Sequence, residues 1–180
     1  MKKLIIKLFM LSILLISFTG CYTLTKMYSY SGGPVDYNPQ KHYEYRDYVY
    51  IYASVEDEGD KNSPISMIEV RPIRFANLKK SKKVELLSKE IKAEYNGKRY
   101  TLKVVDKTAV LPYKEGIILK EGTIIYFGKI KVDDKLIIEM PPIKFESYVE
   151  VSKYVPILDG LNIETNKEIY HGPTANYKGR

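Results

Sequence analysis

The chain has 180 residues, 44% hydrophobic and 28% charged, with 29 basic against 22 acidic side chains and a net charge of +7. That length suits one domain with an appendage. The apolar content excludes a disordered chain or a collagen-like repeat, the single Cys excludes a disulfide-rich miniprotein, and one lone apolar run, at the N-terminus, excludes a polytopic membrane protein.

The first signal along the chain is at residues 1–21. Lys2, Lys3 and Lys7 form a positive start, Leu8 to Phe18 make an apolar stretch of eleven residues, and Thr19, Gly20 and Cys21 follow. A membrane span needs about 20 apolar residues, so this run fits a secretory leader better. Removing it leaves 26 basic residues facing 22 acidic ones, or +4, so much of the basic character belongs to the leader.

The segment Phe18-Thr19-Gly20-Cys21 resembles the lipobox of bacterial lipoprotein precursors, with Phe18 standing where such boxes prefer Leu. The resemblance is confined to these first residues. It implies a signal peptide at 1–20, a type II signal peptidase cutting before Cys21, a diacylglycerol on the Cys21 thiol and an acyl chain, such as palmitate, on the new amino group. Each buried CH₂ contributes about 0.8 kcal/mol and one chain anchors only marginally, so two or three chains hold firmly. Tyr22 lacks the Asp that retains many enterobacterial lipoproteins in the inner membrane. The resemblance thus implies a cell-envelope protein, in the outer membrane if the cell is Gram-negative, with the membrane as partner through the lipid on Cys21. The remaining chain has no second Cys, so its stability rests on packing alone.

Residues 21–42, broken by Ser31, Gly32, Gly33, Pro34 and Pro39, read as a lipidated start and flexible tether. A coil of that length spans about 25 Å. A domain is expected over 43–165 and a polar tail over 166–180. Period-two alternation recurs through the domain. Val49, Ile51, Ala53 and Val55 share one face and Tyr48, Tyr50 and Tyr52 the other. Further runs are Ile65–Phe75, Ile91–Tyr95, Tyr100/Leu102/Val104, Ile117–Leu119, Ile124/Tyr126/Ile130/Val132, Leu136/Ile138/Met140 and Ile143/Phe145/Val149/Val151. Asn96-Gly97 reads as a type I′ hairpin turn and Asp133-Asp134 as a similar one. Pro141-Pro142 marks a strand edge or a crossing between sheets. Leu78, Val84, Leu87 and Ile91 fit a helical stripe as well as strands, so a short helix or irregular connection is expected near 79–88. Eight short strands in roughly 110 residues predict an all-β fold, an antiparallel β-sandwich of immunoglobulin-like type.

Nine of the seventeen tyrosines fall between Tyr22 and Tyr52. Rigid amphipathic rings in a row suit a binding surface, so Tyr48, Tyr50 and Tyr52 are the candidate, against the alternative that Tyr is simply a good strand former. The acidic stretch Glu56-Asp57-Glu58-Gly59-Asp60 fails the EF-hand spacing and reads as a hairpin loop. Lys79, Lys80, Lys82 and Lys83 form a basic cluster, read as an exposed connection, with contact to anionic headgroups or polysaccharide phosphate the alternative. His42 and His171 stand far apart in sequence, which predicts no metal site. Glu139, Glu146 and Glu150 alternate outward and read as surface carboxylates. No hydrolase motif is present, so neither catalysis nor a cofactor is expected. The expected function is a non-catalytic binding or structural module of the envelope, partnered by another envelope protein or a surface polymer and not by nucleic acid. A small immunity or inhibitor lipoprotein and an envelope hydrolase are the alternatives.

Overall fold

A computed structural model describes residues 23–73, 83–154 and 167–178. Cys21 with the rest of the lipobox, the leader, and Lys79, Lys80 and Lys82 of the basic cluster lie outside the described residues, as does the 79–82 part of the expected helix. The described chain is all-β. Twelve strands run β1 (Thr23–Pro34), β2 (Val49–Val55), β3 (Ile65–Pro72), β4 (Val84–Leu86), β5 (Glu90–Tyr95), β6 (Lys98–Val105), β7 (Ala109–Val110), β8 (Ile124–Tyr126), β9 (Lys129–Val132), β10 (Leu136–Glu139), β11 (Ile143–Tyr154) and β12 (Lys167–Pro173). Three single 3-10 turns complete the described elements.

Two compact units divide the chain. One comprises Met1–Lys26 and Glu150–His171, the other Met27–Val149 and Gly172–Arg180. The larger unit holds the core. Its strands pair in the order β1-β2-β3-β7-β6-β5-β8-β11, and β1 also pairs with β11, so eight strands close on themselves. The expected immunoglobulin-like sandwich of two stacked sheets is therefore replaced by a closed barrel, with β12 pairing outside it on β11 and a separate three-stranded sheet β10-β9-β4. Closure removes the unpaired edges that an open sheet leaves.

Closure depends on a segment that reads as a linker. The tether expected over 21–42 is strand from Thr23 to Pro34, registered on β2 through Tyr30↔Ala53 and Ser31↔Tyr52. Gly32 is what lets β1 lie there. A Cβ on it would sit 2.7 Å from Ile143 Cγ2, 3.1 Å from Ile51 Cγ2 and 3.2 Å from the Phe145 ring. The apparent breaker is an inward position with no room for a side chain. The expected tail likewise contains β12 and a 3-10 turn at Thr174–Asn176, where the Thr174 and Ser147 hydroxyls hydrogen-bond at 2.7 Å.

Most alternating runs form as the pattern dictates. Val49, Ile51, Ala53 and Val55 are buried against Ile65, Ile68, Val70, Leu102, Ile143 and Phe145. The 124–132 run is two strands, broken at Gly128 (φ 71°), and the break reverses the first of them. Ile125 and Phe127 are buried and Tyr126 points out, contrary to the expected inward Ile124 and Tyr126. Ile117–Leu119 is not a strand, although Leu119 is fully buried and its carbonyl accepts from Ile65 N–H at 2.8 Å. In place of the helical reading, Val84–Leu86 pairs with β9.

The turns follow their chemistry. Asn96 and Gly97 both take positive φ between the paired Tyr95 and Lys98, as a type I′ turn requires. Asp133 and Asp134 are also left-handed, but the register Leu136↔Val132 makes that loop three residues long. Pro141-Pro142 lies between β10 of the small sheet and β11 of the barrel, so it is the crossing between sheets. Among the described residues no helix is long and apolar enough to cross a membrane.

Candidate functional site

The tyrosine row forms only in part. On β2, Tyr50 and Tyr52 point outward while their neighbours fill the core, and Tyr50 is 45% exposed. Tyr48 precedes the strand at the end of the 3-10 turn Glu44–Asp47, with ψ −34° instead of an extended value, and packs half-buried against the core. The row is a pair, and the pair is already engaged. The Arg71 guanidinium lies 4.6 Å from the Tyr52 ring centre and donates to Glu69 Oε2 at 2.6 Å. Burial, and then the Glu58 carboxylate, push the Tyr52 hydroxyl above its usual pKa.

A second tyrosine-bearing surface lies on the barrel seam. Along β11 the alternation that buries Ile143, Phe145, Ser147 and Val149 turns Lys144, Glu146 and Tyr148 outward. On β1, Gly33 faces the same way, and a Cβ there would meet only Arg46 Nη2, at 3.8 Å. The bare glycine backbone adjoins a groove of about 350 Å³ whose lining includes Tyr37, Arg46, Lys144, Glu146 and Tyr148.

Arg46 is placed by aromatics. The 3-10 turn Glu44–Asp47 buries Tyr45 and turns Arg46 over Tyr37, 5.0 Å from its ring centre, and over Tyr43 at 5.9 Å. Tyr37 stacks on Tyr43 at 6.2 Å, and the Tyr43 hydroxyl donates to Asp36 O at 2.7 Å while accepting from Asn38 N–H. The Tyr45 hydroxyl is buried and closes no hydrogen bond of good geometry, with the Arg46 charge as its electrostatic neighbour. Burial works against the Arg46 charge, and the Tyr45 and Tyr37 hydroxyls more than offset it, so the guanidinium stays charged. Among the described residues, neither Arg46 nor Lys144 has a carboxylate within ion-pair distance. Two cations, one carboxylate and two tyrosines therefore share one groove, a combination that holds an anionic group by charge and a planar or apolar one by stacking.

The other sequence candidates disperse. The acidic stretch is a hairpin loop between β2 and β3, held by Asx turns in which Gly59 N–H donates to Asp57 Oδ1 and Asn62 N–H to Asp60 Oδ1, both at 2.8 Å. Lys83 pairs with Glu85 at 3.0 Å and His42 with Asp47 at 3.0 Å. Glu139 lies 3.8 Å from Lys129, and Glu146 lines the groove. Glu150, which reads as a surface carboxylate, instead meets Glu168 and His171, their ligand atoms all within 4.8 Å of one another. That grouping has no sequence signature, because residues eighteen and twenty-one positions apart meet only through the pairing of β11 with β12. The groove was equally hidden. Its one sequence trace is the Gly32-Gly33 pair, which reads as flexibility until a strand is drawn through it. Compared with family models, with curated proteins and with solved structures, the chain matches none.

Proposed function

We propose that this chain is a membrane-anchored lipoprotein of the cell envelope whose barrel is a non-catalytic binding module for an anionic group, a phosphate or carboxylate carried by an envelope polymer or protein. The address rests on the leader and on Phe18-Thr19-Gly20-Cys21. The binding reading is carried by one observation, the pair Arg46 and Lys144 in the tyrosine-walled groove, neither of them within ion-pair distance of a carboxylate among the described residues. Glu146 reduces the local charge to a modest positive value, which favours selectivity over indiscriminate attraction. Only Tyr22 lies between Cys21 and the first residue of β1.

Two measurements test the reading separately. Mass analysis of the protein from membranes is expected to show a diacylglyceryl-modified Cys21, and Cys21→Ser to release the chain. An unmodified cysteine sinks the anchor. Detergent-solubilised protein is expected to bind polyphosphate or polyglutamate, with affinity falling as salt rises. Arg46→Ala with Lys144→Ala should weaken that binding at least tenfold while Tyr50→Ser with Tyr52→Ser leaves it unchanged. The reverse pattern moves the site to the β2–β3 face.

A further inference from the structure

We propose that Glu150, Glu168 and His171 form a binding site for a divalent transition-metal ion, with Zn²⁺ the ion of choice, on the smaller unit and independent of the groove. Glu150 comes from β11 and the other two from β12. Glu168 Oε2 and His171 Nδ1 are already 3.6 Å apart, and the three ligand atoms lie within 4.8 Å of one another. A tetrahedral zinc with bonds of about 2.0–2.2 Å sets neighbouring ligand atoms roughly 3.3 Å apart. Closing the remaining gap takes a movement of up to about 1.5 Å, shared between the tips of flexible side chains and within ordinary rotamer freedom.

The donor set selects the metal. One imidazole nitrogen with two carboxylate oxygens suits zinc, cobalt or nickel, whereas calcium and magnesium take oxygen alone. Three protein ligands leave a fourth position for water. The simple alternative is an exposed Glu168–His171 ion pair, which contributes about 0–1 kcal/mol and makes no use of Glu150. Glu150 brings a second carboxylate from the neighbouring strand to the same imidazole, which makes three ligand atoms in place of two. Glu150 is half-buried, and this restricts its escape to solvent. A bound ion would clip β12, the strand outside the closed barrel, to β11.

The test uses the full chain in detergent without a polyhistidine tag, with Cys21→Ser in every arm so that no thiol competes. Titration with zinc chloride, followed by calorimetry and native mass spectrometry, is expected to give one ion per chain with micromolar affinity. Magnesium in hundredfold excess should not displace it. His171→Asn and Glu150→Gln should each weaken binding at least tenfold, and His42→Asn should leave it intact. One readout needs no ligand substitution: zinc shifts the nuclear resonances of the His171 imidazole and spares those of His42. Absence of zinc binding overturns the proposal. So does undiminished binding by the Glu150→Gln/His171→Asn chain, or a zinc shift confined to His42.

Discussion

The outer face of β2–β3 and the groove on the barrel seam each set an arginine on tyrosine rings, and they differ in what else the arginine holds. Arg71 lies over Tyr52 and also grips Glu69 at 2.6 Å, so its charge is met within the fold. Arg46 lies over Tyr37 and Tyr43 with no carboxylate in ion-pair reach among the described residues. The same residue types thus build a closed network on one face and an open one on the other. Tyrosine density marks both regions in the sequence, but only the neighbouring charges separate a surface that is satisfied from one with capacity for a ligand.

The sharpest way to break this comparison is at the two glycines beneath the groove. Gly32 faces inward and Gly33 outward, so the same substitution at each has opposite consequences. Gly32→Val forces methyl groups into Ile143, Ile51 and Phe145 and is expected to cost at least about 1–3 kcal/mol, the usual range for overpacking. At Gly33 an added Cβ meets only the Arg46 guanidinium, at ordinary contact distance, so Gly33→Val has open space to enter. It should leave the urea midpoint close to the parent while crowding the Arg46 guanidinium and weakening binding of the anionic probe. Equal destabilisation by both would mean that β1 does not close the barrel in this register.

A smaller effect probes the other face. A double-mutant cycle on Tyr52→Ala and Arg71→Ala should give a coupling of about 0.5–1 kcal/mol, as expected for a partly exposed cation–π pair. The same cycle on Tyr37 and Arg46 should give a similar stability coupling, and the comparison then rests on ligand response. Anionic probe should raise the Arg46 contribution and leave the Arg71 contribution unchanged. A probe-dependent change at Arg71 would show that Glu69 does not occupy it fully.

Much of the barrel was legible because alternation and turn chemistry are local. Val49, Ile51, Ala53 and Val55 announce their face by spacing, and Asn96-Gly97 announces its turn by the two positive φ values it tolerates. Closure was not legible, because it depends on which distant strand β1 meets. Gly32 is silent in sequence and acquires meaning only against Ile143 and Phe145, more than a hundred residues away. Counting strands without their partners led to the sandwich. The reversed face of β8 has a similar origin, since Gly128 resets the alternation between two runs that read as one. The groove and the Glu150–Glu168–His171 cluster were hidden for the same reason: their residues belong to different strands, and pairing, not spacing, brings them together.

The finest distinction lies between two buried tyrosines, Tyr30 on β1 and Tyr45 behind Arg46, each 3% exposed. The Tyr30 hydroxyl donates to Ser63 O at 3.1 Å, whereas that of Tyr45 closes no hydrogen bond of good geometry and has the Arg46 charge beside it. Tyr30→Phe strands a buried carbonyl acceptor and should cost about 1 kcal/mol, while Tyr45→Phe removes an unsatisfied hydroxyl and should be neutral or slightly stabilising. Both phenols are pushed above their usual value of 10.0, chiefly by burial. A folded-state pKa above the unfolded one gives stability that is complete below pH 10 and is lost as the pH rises through the folded value. The urea midpoint should therefore fall on the alkaline side of pH 10, and Tyr30→Phe should flatten part of that fall. Tyr45→Phe should also flatten part of it, because burial outweighs the Arg46 charge that favours the Tyr45 phenolate. An alkaline limb unchanged by Tyr45→Phe would mean that the Tyr45 hydroxyl is not held in the buried seat behind Arg46.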